Sequence, residues 1–327
     1  MATYYDIFGQ KVQYLASDPS DVQVGQVWYN STSNTAKVQG YTSGTISSAP
    51  NLNRPTANVN QMGGSSGSPS NSNFVNGGNG SPFNNLTEEY DGSSWASANT
   101  SSSSGTNKFG FGTQTAGLIS GGIPAPGSSA VTTTEYYDGT NWTSGTATPV
   151  GVRGAGSGGP FTAGLYFGGH GNPSYSPAYN GVQFFDGSAW TAQGGTINTA
   201  KANIGGNGTQ TSAIKGNGEP SPSTVTETWD GTSWTTVASL NQTRGNPGLS
   251  LSGDSGTAVF FAGGSPAVGV EEWNGSAWAT SPVSSPTAFS QGISIGNATS
   301  AVFAVGNTSQ STFEWSKGPV TKTITTS

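Results

Sequence analysis

Short apolar runs alternate with stretches of Gly, Ser, Thr and Asn along most of this chain, and the alternation has a long, steady period. Its sharpest mark is an aromatic residue followed by Asp or Asn, then Gly, Ser or Thr, any residue, and Trp. Five copies obey that grammar: Tyr90-Asp91-Gly92-Ser93-Ser94-Trp95, Tyr137-Asp138-Gly139-Thr140-Asn141-Trp142, Phe185-Asp186-Gly187-Ser188-Ala189-Trp190, Trp229-Asp230-Gly231-Thr232-Ser233-Trp234 and Trp273-Asn274-Gly275-Ser276-Ala277-Trp278. The Asp or Asn recurs at steps of 47, 48, 44 and 44 residues, and a worn sixth copy, Phe313-Glu314-Trp315-Ser316-Lys317-Gly318, follows after 42 more. Asp-Gly or Asn-Gly between aromatic-bearing runs predicts a tight hairpin, because the first side chain bonds its own backbone and glycine accepts positive φ.

A second ladder stays in phase with the first. Ahead of each turn lies an apolar run ending in Gly-Gly or Gly-Asn: Phe74-Val75-Asn76-Gly77-Gly78, Leu118-Ile119-Ser120-Gly121-Gly122, Leu165-Tyr166-Phe167-Gly168-Gly169, Ala213-Ile214-Lys215-Gly216-Asn217-Gly218, Val259-Phe260-Phe261-Ala262-Gly263-Gly264 and Val302-Phe303-Ala304-Val305-Gly306-Asn307. Continuous apolar runs of this length predict strands buried on both faces. Gly-rich segments before them, such as 154–159 and 205–208, predict innermost strands where backbones crowd. A hairpin alone is unstable in water. A unit of 42 to 48 residues repeated six times therefore predicts an all-β chain of six four-stranded sheets, each covered by its neighbours.

Residues 1–50 lie outside the repeat and are expected to form a separate N-terminal β appendage to residues 51–327. Val27-Trp28-Tyr29-Asn30 and Thr35-Ala36-Lys37-Val38 read as hairpin arms, and Tyr4, Tyr5, Ile7, Val12, Tyr14, Val22 and Val24 add strand formers. Two readings stand: a docking module using Trp28, Tyr29 and Val38, or a degenerate hairpin that helps complete the repeat array. At the other end Val320-Thr321-Lys322-Thr323-Ile324 is expected to replace the Trp strand missing from the sixth copy.

Composition alone, 31% hydrophobic, 8% charged and 51 Gly in 327 residues, would point to a low-complexity chain. The phased aromatics overrule it, since each buried Trp is worth about 3–5 kcal/mol. There is no Cys, hence no thiolate metal site and no Cys nucleophile. A net charge of −6, with ten scattered Lys and Arg, argues against nucleic acid, whose phosphates need clustered cations. No signal-peptide pattern opens the chain and no run is apolar enough to span a membrane, so synthesis in a cytoplasm is expected.

A strand ending in Gly-Gly, followed by an aromatic and then Trp, resembles the kelch repeat of β-propellers over roughly residues 51–327. More narrowly, Gly112-Thr113-Gln114-Thr115-Ala116-Gly117-Leu118 with Thr134-Glu135-Tyr136-Tyr137-Asp138-Gly139, behind Gly25-Gln26-Val27-Trp28-Tyr29-Asn30-Ser31-Thr32, resembles kelch-like virion proteins of marine tailed phages, of the cyanophage type. The resemblance implies a six-bladed kelch-like β-propeller and a non-enzymatic virion protein, capsid-attached or in a tail or fibre. It further implies docking to other virion proteins through residues 1–50 and adhesion to host cell-surface polysaccharide through the propeller. Self-association is left open. The aromatic-to-Trp spacing is shorter than usual in kelch repeats, so no ligand site of cellular kelch proteins is carried over.

Catalysis is not expected, nor any metal or cofactor. The copper oxidases of the kelch fold need clustered ligands, whereas this chain has one His, His170, read as a loop residue. The Asp-Gly turns supply isolated carboxylates and not calcium loops. Sialidase-like boxes place Gly and the aromatic later after Asp. A polysaccharide-degrading propeller, the alternative from another class, would need two positioned carboxylates, and no such pair is evident. A purely decorative or stabilising capsid or tail protein is the nearer alternative. The basic residues Arg54, Arg153, Lys201 and Arg244 occupy one recurring position, and Glu88, Glu135, Glu227 and Glu271 recur three residues before their turn markers. These are read either as structural cation–glutamate pairs or as an anion or glycan site near the propeller axis.

Overall fold

The computed structural model describes residues 12–23, 25–56, 62–65, 70–80, 84–171, 178–219, 223–244, 251–261, 268–288, 290–306 and 309–324. Tyr4, Tyr5, Ile7, Val24, Ala262 to Gly264 and Asn307, all used in the sequence reading, lie outside these residues. The described residues are all-β, with no α-helix among them. The chain forms two compact units, Met1–Thr45 with Ser316–Ser327, and Ile46–Trp315.

The larger unit holds six four-stranded sheets among the described residues, here sheets I to VI. Sheet I contains β5 (Gly63–Gly64), β6 (Asn73–Asn76), β7 (Thr87–Tyr90) and β8 (Trp95–Ala98). Sheet II contains β9 (Phe109–Thr113), β10 (Ala116–Ser120), β11 (Thr134–Tyr137) and β12 (Trp142–Ser144). Sheet III contains β13 (Gly156–Gly158), β14 (Gly164–Phe167), β15 (Val182–Phe185) and β16 (Trp190–Gln193). Sheet IV contains β17 (Gly205–Thr209), β18 (Ser212–Gly216), β19 (Thr226–Trp229) and β20 (Trp234–Val237). Sheet V contains β21 (Leu251–Gly253), β22 (Ala258–Phe261), β23 (Val270–Trp273) and β24 (Trp278–Thr280). Sheet VI contains β25 (Ile293–Gly296), β26 (Ser300–Gly306), β27 (Ser309–Ser316) and, from far upstream, β4 (Thr45–Ala49).

Each aromatic-Asp-Gly copy is the turn between the third and fourth strands of its sheet. In the first copy Asp91 Oδ1 accepts the backbone N–H groups of Ser93 and Ser94 at 2.7 and 2.8 Å, and Asp138, Asp186, Asp230 and Asn274 repeat that pair of bonds. The glycine that follows sits near φ +93° in the first and last of these turns, a conformation in which a β-carbon is strained.

The innermost strands lie against one another in chain order, β5 on β9, β9 on β13, β13 on β17, β17 on β21 and β21 on β25, and β25 lies in turn against β5. Glycine is needed where they meet: a β-carbon at Gly64 would fall 2.6 Å from Phe74 O and 2.9 Å from Ile293 Cδ1. Between sheets the aromatics form the core. Trp142 Nε1 donates to Thr87 Oγ1 (3.0 Å), Trp278 Nε1 to Thr226 Oγ1 (3.0 Å), and Trp95 of sheet I to Thr312 Oγ1 of sheet VI (3.3 Å). Likewise Tyr137 OH donates to Glu89 of sheet I (2.6 Å) and Tyr90 OH to Glu314 of sheet VI (2.7 Å). Sheet VI thus meets sheet I through the same bonds that join sheet I to sheet II.

The smaller unit is one four-stranded sheet ordered β1 (Gln13–Leu15), β2 (Val27–Asn30), β3 (Thr35–Tyr41) and β28 (Pro319–Thr323). β1 runs parallel to β2, whereas β2–β3 and β3–β28 are antiparallel. Two boundary expectations change here. The segment 320–324 does not complete the sixth copy but pairs with β3, and the strand completing sheet VI is β4, inside the stretch assigned to the appendage. Thr45 Oγ1 lies 3.0 Å from Ser316 Oγ, Thr312 Oγ1 donates to Pro50 O, and Leu52 N donates to Gln310 O (2.9 Å), an antiparallel run that places Ile46 where the other sheets carry Trp. Ile46 packs against the core cluster that holds Phe303, Phe313 and Trp315, so an aliphatic side chain fills the slot and the Trp signature is dispensable there.

Candidate functional site

The recurring glutamate stands on the third strand and points at the segment leading into its own sheet. Glu271 accepts Asn241 N (2.7 Å), Gln242 N (3.2 Å) and Asn241 Nδ2 (2.9 Å); Glu88 accepts Asn53 N and Arg54 N, Glu135 accepts Ser102 N and Ser103 N, and Glu227 accepts Asn198 N and Thr199 N. Three of these carboxylates also hold a buried cation: Arg54 Nε–Glu88 at 2.6 Å, Lys215 Nζ–Glu227 at 3.0 Å and Arg244 Nη2–Glu271 at 2.9 Å. Arg54 adds Gly77 O (2.6 Å), while Arg244 adds Gly269 O (2.9 Å) and lies over the Phe260 ring. Burial pulls both guanidinium pKa values down, and the paired glutamates oppose the shift.

Arg54 and Arg244 are therefore interior braces, 3% and 1% exposed, and not an anion- or glycan-binding row. An ion so enclosed is retained because its glutamate neutralises it; Arg54 also donates from Nε, Nη1 and Nη2, whereas Arg244 Nε is buried without a hydrogen-bond partner. The other two members differ. Arg153 is half-buried, bridges His170 through the backbone, and donates from Nε to His170 Nε2 at 3.1 Å; His170, expected in a loop, is fully buried. Lys201 is half-exposed, and the cation on Glu227 is Lys215, so the recurring basic position marked the wrong lysine for that sheet. No group of three metal-ligating side chains occurs among the described residues, and no helix there is long and apolar enough to cross a membrane.

The docking trio divides between the two faces of the small sheet. Trp28 is fully buried, with Nε1 donating to Asp18 Oδ1 (3.0 Å), which also takes Asn30 Nδ2 (2.7 Å), while Lys37 Nζ binds Asp18 Oδ2 (2.6 Å). Lys37, Asn30 and Trp28 together hold the Asp18 carboxyl down at about 2. Trp28 is thus the core of one face and unavailable to a partner. Register places Tyr14, Tyr29, Ala36 and Ile324 in one row across the opposite face, because Tyr14 pairs with Tyr29, Tyr29 with Ala36, and Ile324 N donates to Ala36 O at 2.8 Å. Val27 pairs with Val38 on that face, and Tyr14 stacks on Tyr29 with centroids 5.0 Å apart.

Large apolar side chains stand exposed at four described positions: Tyr14 (68%), Ile324 (44%), Val150 (37%) and Tyr41 (36%). Three of the four belong to the small unit. Sequence reading named Tyr29 and Val38 but missed Ile324, whose place beside Ala36 depends on a pairing between chain segments far apart; the alternation Val27, Tyr29 and Ala36, Val38 was the available signal for this face. The chain matches no protein-family model and no curated protein.

Proposed function

We propose that residues 46–315 form a six-bladed kelch-like β-propeller and that the chain is a non-enzymatic tailed-phage virion protein. It docks to a neighbouring particle protein through the Tyr14–Tyr29–Ile324 face of the small sheet. The propeller reading is supported by the cycle of inner-strand neighbours and by the Trp-to-Thr and Tyr-to-Glu bonds shared by the VI–I and I–II junctions. The docking reading is carried by one observation, that Tyr14 and Ile324, the two most exposed large apolar side chains among the described residues, lie in one row on the same face of the small sheet. Apolar surface gathered in one region marks an interaction site, whereas isolated exposed residues do not.

The propeller is then the displayed part, and host cell-surface polysaccharide is the ligand class proposed for it. Its turn end carries the exposed carboxylates of Asp91, Asp138, Asp186 and Asp230 among hydroxyl and amide groups, which favours neutral or cationic sugars over anionic ones. Immunogold labelling of purified particles with an antibody to this chain tests the virion reading, and unlabelled particles end it. Tyr14→Asp with Ile324→Asp tests the face. Both positions are exposed, so the fold is expected to survive while incorporation into particles falls at least tenfold, and undiminished incorporation would refute docking through this face.

A further inference from the structure

Where sheets I and II meet, a buried amine rests on a buried carboxamide. Lys108, just before β9, is 4% exposed, and its Nζ donates to Asn76 Oδ1 at 3.1 Å and to Ser103 O at 2.7 Å. Asn76, the last residue of β6, is fully buried, and its amide is held on every side. Nδ2 donates to Thr87 Oγ1 (3.0 Å), Ser101 Oγ (3.1 Å) and Asn85 O (3.3 Å), and Ser101 Oγ lies 3.3 Å from Oδ1. Burial brings the Lys108 amine down to about 8, against the opposing pull of nearby Glu135, so a substantial neutral fraction exists at mildly alkaline pH. A neutral amine is a nucleophile, and a carboxamide polarised by hydrogen bonds is its electrophile.

The other buried lysine shows what is particular here. Lys215 is equally enclosed, but its Nζ meets the Glu227 carboxylate at 3.0 Å, an anion that an amine does not attack. Only the Lys108 pair, among these two, places nitrogen against an acylating group.

We propose that Lys108 and Asn76 join spontaneously in an isopeptide cross-link that ties sheet I to sheet II. Lys108 Nζ attacks Asn76 Cγ, the Nζ–Cγ bond forms and the Cγ–Nδ2 bond breaks. One proton passes from Nζ to Nδ2, which leaves as ammonia. No oxidant, reductant or water is consumed. The Thr87 and Ser101 hydroxyls beside Nδ2 are placed to relay that proton. The fold supplies the rate by holding the two groups together, which replaces a bimolecular encounter by an intramolecular one, and by excluding water from the acyl carbon. Such a bond would suit a virion component that must withstand pulling.

Intact-mass measurement of the folded, purified full chain, followed over days at pH 8 and read under denaturing conditions, tests this. The expected result is a deficit of about 17 Da, the mass of one ammonia, with a branched tryptic peptide joining the segments that carry Lys108 and Asn76. The deficit should be absent from Lys108→Arg and from Asn76→Ala, and should form faster as pH rises through about 8. Wild-type protein that is folded by circular dichroism and keeps its full sequence mass overturns the proposal. So does a deficit whose branched peptide lies elsewhere.

Discussion

Replacing Val182 by Thr should stabilise the larger unit. Trp142, Trp278 and Trp95 each donate their indole N–H to a threonine on the third strand of the neighbouring sheet, three residues before that strand's aromatic: Thr87, Thr226 and Thr312. Trp234 stands at the same position in sheet IV, but β15 of sheet III opens with Val182, and Trp234 Nε1 is buried without a hydrogen-bond partner. An unmet buried donor costs about 1–3 kcal/mol, and a hydroxyl introduced opposite it recovers part of that while bringing a polar group of its own into the core. The net gain should be about 1 kcal/mol, which for a unit of this size raises Tm by about 2–4 °C. Thr226→Val is the mirror control: it removes the acceptor of Trp278 and should cost about 1–3 kcal/mol. Thermal and denaturant unfolding followed by tryptophan fluorescence measure both. If Val182→Thr fails to stabilise while Thr226→Val is neutral, the indole–hydroxyl bond does not contribute at these junctions and the reasoning fails.

Glu271→Gln leaves Arg244 buried beside a neutral amide and should cost about 3–5 kcal/mol in denaturant unfolding, whereas replacing both partners by apolar residues of similar volume should cost much less. Removing residues 1–49 strips β4 from sheet VI and should lower the melting temperature of the larger unit, while removing only residues 1–44 together with 317–327 should leave it folded; equal behaviour of the two truncations would contradict the role given to β4. Below neutrality the turn carboxylates decide the pH response: Asp91 and Asp230 are held at about 2 and Asp138 and Asp186 are also lowered, all by hydrogen bonds within their turns. Because the folded values lie below the unfolded ones, their contribution is present above the ordinary carboxylate range and is lost as pH falls through the folded values, about 2 for Asp91 and Asp230, which unfolding midpoints between pH 5 and 2 will show as a progressive fall.

Much of this protein is written locally. Asp91-Gly92 and its repeats specify hairpins because the bonds that close each turn run between residues two and three apart, and Gly-Gly after an apolar run marks crowded strand ends for an equally local reason. The glutamate three residues before four of the turns was also legible, and the reading that it pairs with cations inside the sheets matches Arg54–Glu88 and Arg244–Glu271. Partner choice over long distance was not legible. Thr45 and Ser316 meet across 271 residues, and nothing in Thr45–Ala49 carries the repeat's aromatic or turn marks, so only the completed sheet VI shows that this strand belongs to it. The same holds for β28, whose pairing with β3 brings Thr321 to Gln39 across 282 residues. Tertiary structure also turned Trp28 inward and set Lys108 on Asn76, 32 residues away, because strand register and the packing of one sheet on the next fix which side chains meet, and neither quantity is encoded in any short stretch of sequence.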